Sequence, residues 1–134
     1  MAESVEMPGV GKTESTLLVL FVPSTDRTGT PIDQAQWEAK ALELFGSLFS
    51  GATAFPKGRG VWRDDEQGGK LIFDETIVIH SYTNLEAIQK SLPQFHEFLV
   101  RMGTEANQGA VGFVIDGTYM EIRFPLKTGE ASNG

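Results

Sequence analysis

Leu17-Leu18-Val19-Leu20-Phe21-Val22 is an unbroken apolar run closed by Pro23. It is too short for a helix, and both alternating sets are apolar, which predicts a strand covered on two faces. After the polar turn Ser24–Gly29, Thr30-Pro31-Ile32-Asp33 reads as a helix start, with Thr30 as N-cap and Pro31 in the first helical position. Trp37, Ala41, Leu44, Phe45 and Leu48 then recur at helical spacing, and Gly51 reads as the stop.

Ala52-Thr53-Ala54-Phe55 predicts a short strand, followed by a glycine-rich segment from Pro56 to Trp62 and a polar hairpin tip from Arg63 to Gly69. Lys70 to Tyr82, centred on Ile77-Val78-Ile79, is the longest strand candidate. Thr83-Asn84-Leu85-Glu86 has the form of a capping box. Leu85, Ile88, Leu92, Phe95, Leu99 and Met102 continue at spacings of three and four. Pro93 inside that pattern predicts a kink or a split at Ser91, and Gly103 a C-terminal cap. Gly109–Ile115 and Thr118–Phe124 read as two strands joined by the two-residue turn Asp116-Gly117.

The order is β-α-β-β-α-β with one extra C-terminal strand. It predicts an α+β, ferredoxin-like sandwich, an antiparallel sheet with two helices on one face. The expected division is a flexible lead-in over 1–15, a single ferredoxin-like domain over 16–126 and a flexible tail over 127–134. Both sides of the first and fourth strands are apolar, yet helices on one face can cover only one of them. A second copy of the chain, packed sheet to sheet as a homodimer, is the simplest cover. The alternative is that the extra strand or the tails fold over that face.

Composition narrows the function. Eighteen acids against eleven Lys and Arg give a net charge of −7, which disfavours nucleic-acid and anionic-membrane partners. Zero cysteines exclude disulfides, Cys-ligated metals and thiol catalysis. The first fifteen residues lack the cationic start and apolar run of a signal peptide, so the cytoplasm is the expected location. Gly11-Lys12-Thr13 suggests a phosphate-binding loop but fails: Glu6 stands where the first glycine is required, and the segment precedes a strand.

The most unusual stretch is Phe55 to Asp65. Lys57, Arg59 and Arg63 stand close together in an acidic chain, beside Trp62 and between glycines 58 and 60. Arginine offers a planar fork for carboxylate or phosphate, and tryptophan a stacking face. Arg59, Trp62 and Arg63 are therefore candidate ligand-binding residues for an anionic or aromatic small molecule. The bland alternative is a β-bulge in an edge hairpin, with Trp62 sealing the core and the arginines paired to Asp64, Asp65 and Glu66.

Alternation places Glu75 on an apolar face beside that hairpin. It is either half of an ion pair with Arg59 or Arg63, or an unpaired carboxylate able to act as a base. His80 is the second candidate acid–base residue, or else a packed strand histidine. His96 reads as surface. Asn107, in the loop 103–109, is a further candidate binding residue or a loop tie. The two histidines, Asp74 and Glu75 have no metal-ligand spacing, so neither metal nor cofactor is expected.

The pattern Trp37, Gly51-Ala52-Thr53, Gly58-Arg59-Gly60-Val61-Trp62-Arg63-Asp64 and Glu75 resembles an uncharacterised bacterial family of small proteins with a Gly-x-Thr, Gly-x-x-x-Trp and strand-Glu order. The likeness spans about Leu17 to Tyr82 and brings no activity with it. Members of that family often carry export signals, which this chain lacks. The element order also resembles dimeric α+β barrel proteins, among them small monooxygenases, isomerases and ligand sensors. Three functions follow as expectations. The first is a small dimeric ligand-binding or accessory protein. The second is a protein-interaction module docking by its apolar sheet face on an assembly or antitoxin-like partner. The third is a cofactor-independent enzyme using Glu75 or His80.

Overall fold

In the computed structural model, which describes residues 6–11 and 16–127, the apolar run becomes the middle strand of a five-stranded antiparallel sheet. Strand β1 (Thr16–Val22) lies between β3 (Lys70–Thr83) and β4 (Ala110–Ile115), while β2 (Thr53–Asp64) and β5 (Thr118–Arg123) form the two edges. Helices α1 (Gln34–Phe49), α2 (Leu85–Lys90) and α3 (Leu92–Glu105) connect the strands. The strand order β2-β3-β1-β4-β5 is the expected ferredoxin-like arrangement, with β5 added outside β4. The lead-in over 1–5 and 12–15 and the tail over 128–134 lie outside the described residues, as do Lys12 and Thr13 of the rejected loop motif.

One sheet face is dry. Leu18, Leu20, Val22 and Ile79 are fully buried, and Trp37, Ala41, Phe45 and Phe49 of α1 pack over them. The ring of Phe95 on α3 meets both Phe45 of α1, at 5.8 Å between centroids, and Phe113 of β4, at 5.4 Å. These contacts, the first tilted and the second edge-on, tie the helical layer to the sheet.

Local details depart from the sequence reading where a neighbour claims the backbone. Helix α1 starts at Gln34, not Pro31, and its cap is Asp33, whose carboxylate accepts from the Gln36 N–H at 3.1 Å. Residues around Pro31 are held extended instead: Pro31 bridges to Thr25, and the Ile32 N–H donates to the Ser24 carbonyl. At the other end Ser50, rather than Gly51, takes the left-handed turn, with φ of 75°. Thr83 is consumed by the sheet, opposite Thr16, so the cap of α2 passes to Asn84, which accepts from the Ala87 N–H at 2.8 Å. The split at Ser91 is as expected, with Pro93 in the first turn of α3.

The glycine-rich segment is not a separate loop. It is part of one strand, β2, which pairs with β3 from Thr53 to Asp64 through a register shift between Phe55 and Gly58. Pro56 is tolerated because β2 is an edge strand with a bulge at that point. Only Asp65–Gly69 form the tip, where Gly68 and Gly69 take positive φ. The Asp116-Gly117 turn, with φ of 52° and 83°, closes β4 onto β5 as expected.

Candidate functional site

The helices cover one side of the sheet, and β5 widens the sheet without folding over the other. On that bare side Leu17, Val19 and Phe21 of β1 line up with Tyr82, His80 and Val78 of β3. Phe55 joins them from β2, and Val114 and Tyr119 from β4 and β5. Phe55 and Tyr82 are 44% and 63% exposed, so among the described residues no element covers this apolar side.

Tyr119 lies against the small residue Gly112, where an added Cβ would meet its hydroxyl at 2.5 Å. Its ring is 6.3 Å from that of Phe21. The phenol donates to Glu121 at 3.0 Å, and Arg123 donates to the same carboxylate at 2.6 Å. Partial burial, then the Glu121 carboxylate, push the phenol above its ordinary pKa. The charges on this edge thus neutralise each other.

His80 stands in the middle of the open face. Its ring meets Phe55 edge-on at 4.7 Å, and its strand neighbour across the ladder is Val19. It is thus packed against an aromatic neighbour on the adjacent strand. Beside it, a cleft of about 400 Å³ runs between the end of α1 and the start of β2, lined by Phe49 to Thr53 and His80 to Tyr82. Ser81 fixes its wall by donating from Oγ to the Gly51 carbonyl at 2.6 Å. No sequence motif signals this cleft, because its floor is made by backbone and small residues brought together by the α1–β2 connection.

The other candidates do not converge there. Arg59 sits directly opposite Glu75 on the helix side of the ribbon, with Arg63 on the same side four residues on. Trp62 pairs with Ile72 and so points to the opposite side. Glu75 is exposed, which corrects the expectation of a carboxylate on an apolar, buried face; the sheet extends past the helical layer at this point. Its backbone is the busy part, with its N–H donating to Ser24 Oγ at 3.2 Å and its carbonyl accepting from Gln34 Nε2 at 2.8 Å. Arg63 pairs with Asp65 at 2.6 Å in water. Trp62 is 51% exposed and does not seal the core, a second correction with the same cause.

Asn107 takes a positive φ of 50° and donates weakly to Asp26 at 3.4 Å, while its carbonyl accepts from the Arg27 N–H. Asp26 is the hub of that loop: hydrogen bonding from the Thr28 hydroxyl, then from the Thr30 and Thr28 N–H groups, pulls its carboxyl down from 3.8 to about 2. Asn107 also borders a second cleft of about 290 Å³, with Asp26, Asp33, Gln36 and Trp37. His96 is exposed as expected. Among the described residues no group of three or more acidic or histidine side chains is gathered to hold a metal. No described helix is long and apolar enough to cross a membrane.

No family model and no curated protein matches the chain. Among solved structures, a phage SAM lyase in complex with S-methyl-5′-thioadenosine superposes with a TM-score of 0.61 at 14% identity, over 88% of this chain and 96% of that one. The apo state of a phage SAM lyase gives 0.56 at 15% identity, over 92% and 99%. A divalent cation tolerance protein, CutA1 from Thermus thermophilus, gives 0.46 at 12%, over 88% and 91%. The phage lyase likeness is one of fold, running nearly end to end in both chains.

Proposed function

We propose that the protein is a small-ligand-binding or accessory protein that works as a homodimer joined through its open sheet face. The ligand, an aromatic or anionic small molecule, is held in the cleft beside His80. One observation carries this reading. The cleft, of a volume typical for small-molecule sites, has His80 and Tyr82 on its rim, and the same two residues belong to the uncovered apolar face. A copy laid on that face closes the cleft from the side that water now fills. Arg59, Arg63, Trp62 and Asn107, which lie outside this cleft, are secondary candidates for holding an anionic ligand.

The first ligand to test is S-methyl-5′-thioadenosine, because the fold neighbour is named as its complex and a purine offers a flat ring to His80 and Tyr82. Calorimetric titration is expected to give saturable binding that is lost in His80→Ala and kept in Arg63→Ala. Sedimentation velocity is expected to give a dimer. A monomer at all concentrations, or binding indifferent to His80→Ala, overturns the reading.

A second reading is a cofactor-independent enzyme. It is favoured by the imidazole of His80, which stands at the cleft with no hydrogen bond to another described residue and is free to carry a proton for a bound substrate. Glu75, facing Arg59 in solvent, is the weaker acid–base candidate. Turnover of a bound nucleoside thioether that disappears in His80→Asn while binding persists selects this reading. An interaction module docking on a different protein is the outcome left if the chain is monomeric and binds no small ligand.

A further inference from the structure

Beyond Thr76 and Gly58 the β2–β3 ribbon continues as a two-stranded arm, past the helices that cover the rest of the sheet. Two-stranded ribbons are marginal on their own in water. This one carries large apolar side chains on both sides. Val61, Leu71 and Phe73 stand on the helix side, 54%, 56% and 67% exposed, and Trp62 stands with Ile72 on the other. An exposed apolar edge of this kind is ordinarily blunted or covered.

We infer that the arm is a clasp that docks on a second copy of this chain, a step that rests on the self-association proposed above. Area and continuity are the argument. With strands ~4.8 Å apart and ~3.3 Å per residue, five strands over about six residues give an open face of roughly 480 Å². A stable pair of proteins buries about 800 Å² on each partner. The arm supplies roughly 220 Å² more on each of its sides, by the same spacings over about seven residues. The Trp62–Ile72 side runs on from the open sheet face, so a copy seated there meets it directly.

Sedimentation velocity on the wild type, on Phe21→Asp and on the double variant Trp62→Ser, Ile72→Ser tests this, with circular dichroism to confirm folding. Neither arm residue is in the core, so the variant is expected to fold and its dissociation constant to rise at least tenfold. The cysteine-free chain also accepts one polarity-sensitive probe at Lys70→Cys, on the same side as Trp62 and Ile72, whose emission is expected to shift to the blue as the concentration is raised through the dissociation constant. A wild type that stays monomeric removes both self-association and the clasp. A wild type that assembles, is broken by Phe21→Asp, yet keeps its affinity within threefold in the arm variant with the probe still in water, overturns the clasp alone. A monomer whose probe shifts only on anionic vesicles assigns the arm to lipid and overturns the inference.

Discussion

The ring of Phe124 occupies the space that a side chain at residue 103 would need: a Cβ added to Gly103 would stand 2.0 Å from Phe124 Cζ. Glycine is a poor residue for a helix interior, so Gly103→Ala would ordinarily stabilise α3 by about 1 kcal/mol. Here the clash decides the sign. Gly103→Ala is expected to cost about 1–3 kcal/mol, as overpacking does. Made in a Phe124→Ala background, the same substitution should raise stability, and denaturant midpoints for the four chains of the cycle check both signs.

Gln34 begins α1 and ties it to the sheet, donating from Nε2 to the Val22 and Glu75 carbonyls at 3.0 and 2.8 Å. Its Oε1 is buried without a partner among the described residues. Gln34→Leu removes both donations and leaves two carbonyls unsatisfied, which should cost about 1–3 kcal/mol. Amide exchange across the β1–β3 ladder near Ile77 should quicken in step.

Asn84 caps α2, and Asn84→Ala is expected to lower stability by about 1 kcal/mol by urea titration. Much of the fold is legible at this level. The strand run at 17–22, the break before Pro93 and the Asp116-Gly117 turn are all readable because each is a local rule obeyed locally. The caps expected at Thr30 and Thr83 fail because a cap depends on which backbone groups are spare, and Pro31 and Thr83 are already claimed by a bridge and a ladder. Gly103 is no cap because α3 runs through it to Glu105, its small size serving the Phe124 ring instead. The cleft beside His80 is hidden because its lining is mostly small and polar residues with no pattern. The arm is half legible: its cations and tryptophan stand out, but sequence alternation does not show that the helices end before it.

Asp26 supplies the pH dependence. Its carboxyl is lowered in the folded chain, so the loop's stabilisation is fully present above pH 3.8 and is lost as pH falls through about 2. Asp26→Asn removes the charge that Thr28 and Thr30 address. The stability gap between wild type and variant, read from thermal melts, should therefore be constant at neutral pH and shrink between about pH 4 and pH 2.

His80 and Phe55 form an edge-on pair on the open face. Phe55→Ala should free the imidazole, with little loss of stability because Phe55 is 44% exposed. The ring-current displacement of the His80 proton resonances in the wild type should vanish in the variant.

The register shift between Phe55 and Gly58 has a consequence for how this ribbon can change. Were the extra residue absorbed by a one-place slip of β2 along β3, plain alternation would turn every β2 side chain beyond it over, as a twisted belt is turned by undoing half a turn. Trp62 would then exchange sides with Arg59 and Arg63, and three positively charged or greasy positions would trade places at once. A one-codon deletion at Pro56 or Lys57 does the reverse: it takes out the surplus residue, keeps Gly58 opposite Thr76 and leaves the projecting ribbon facing as it does now.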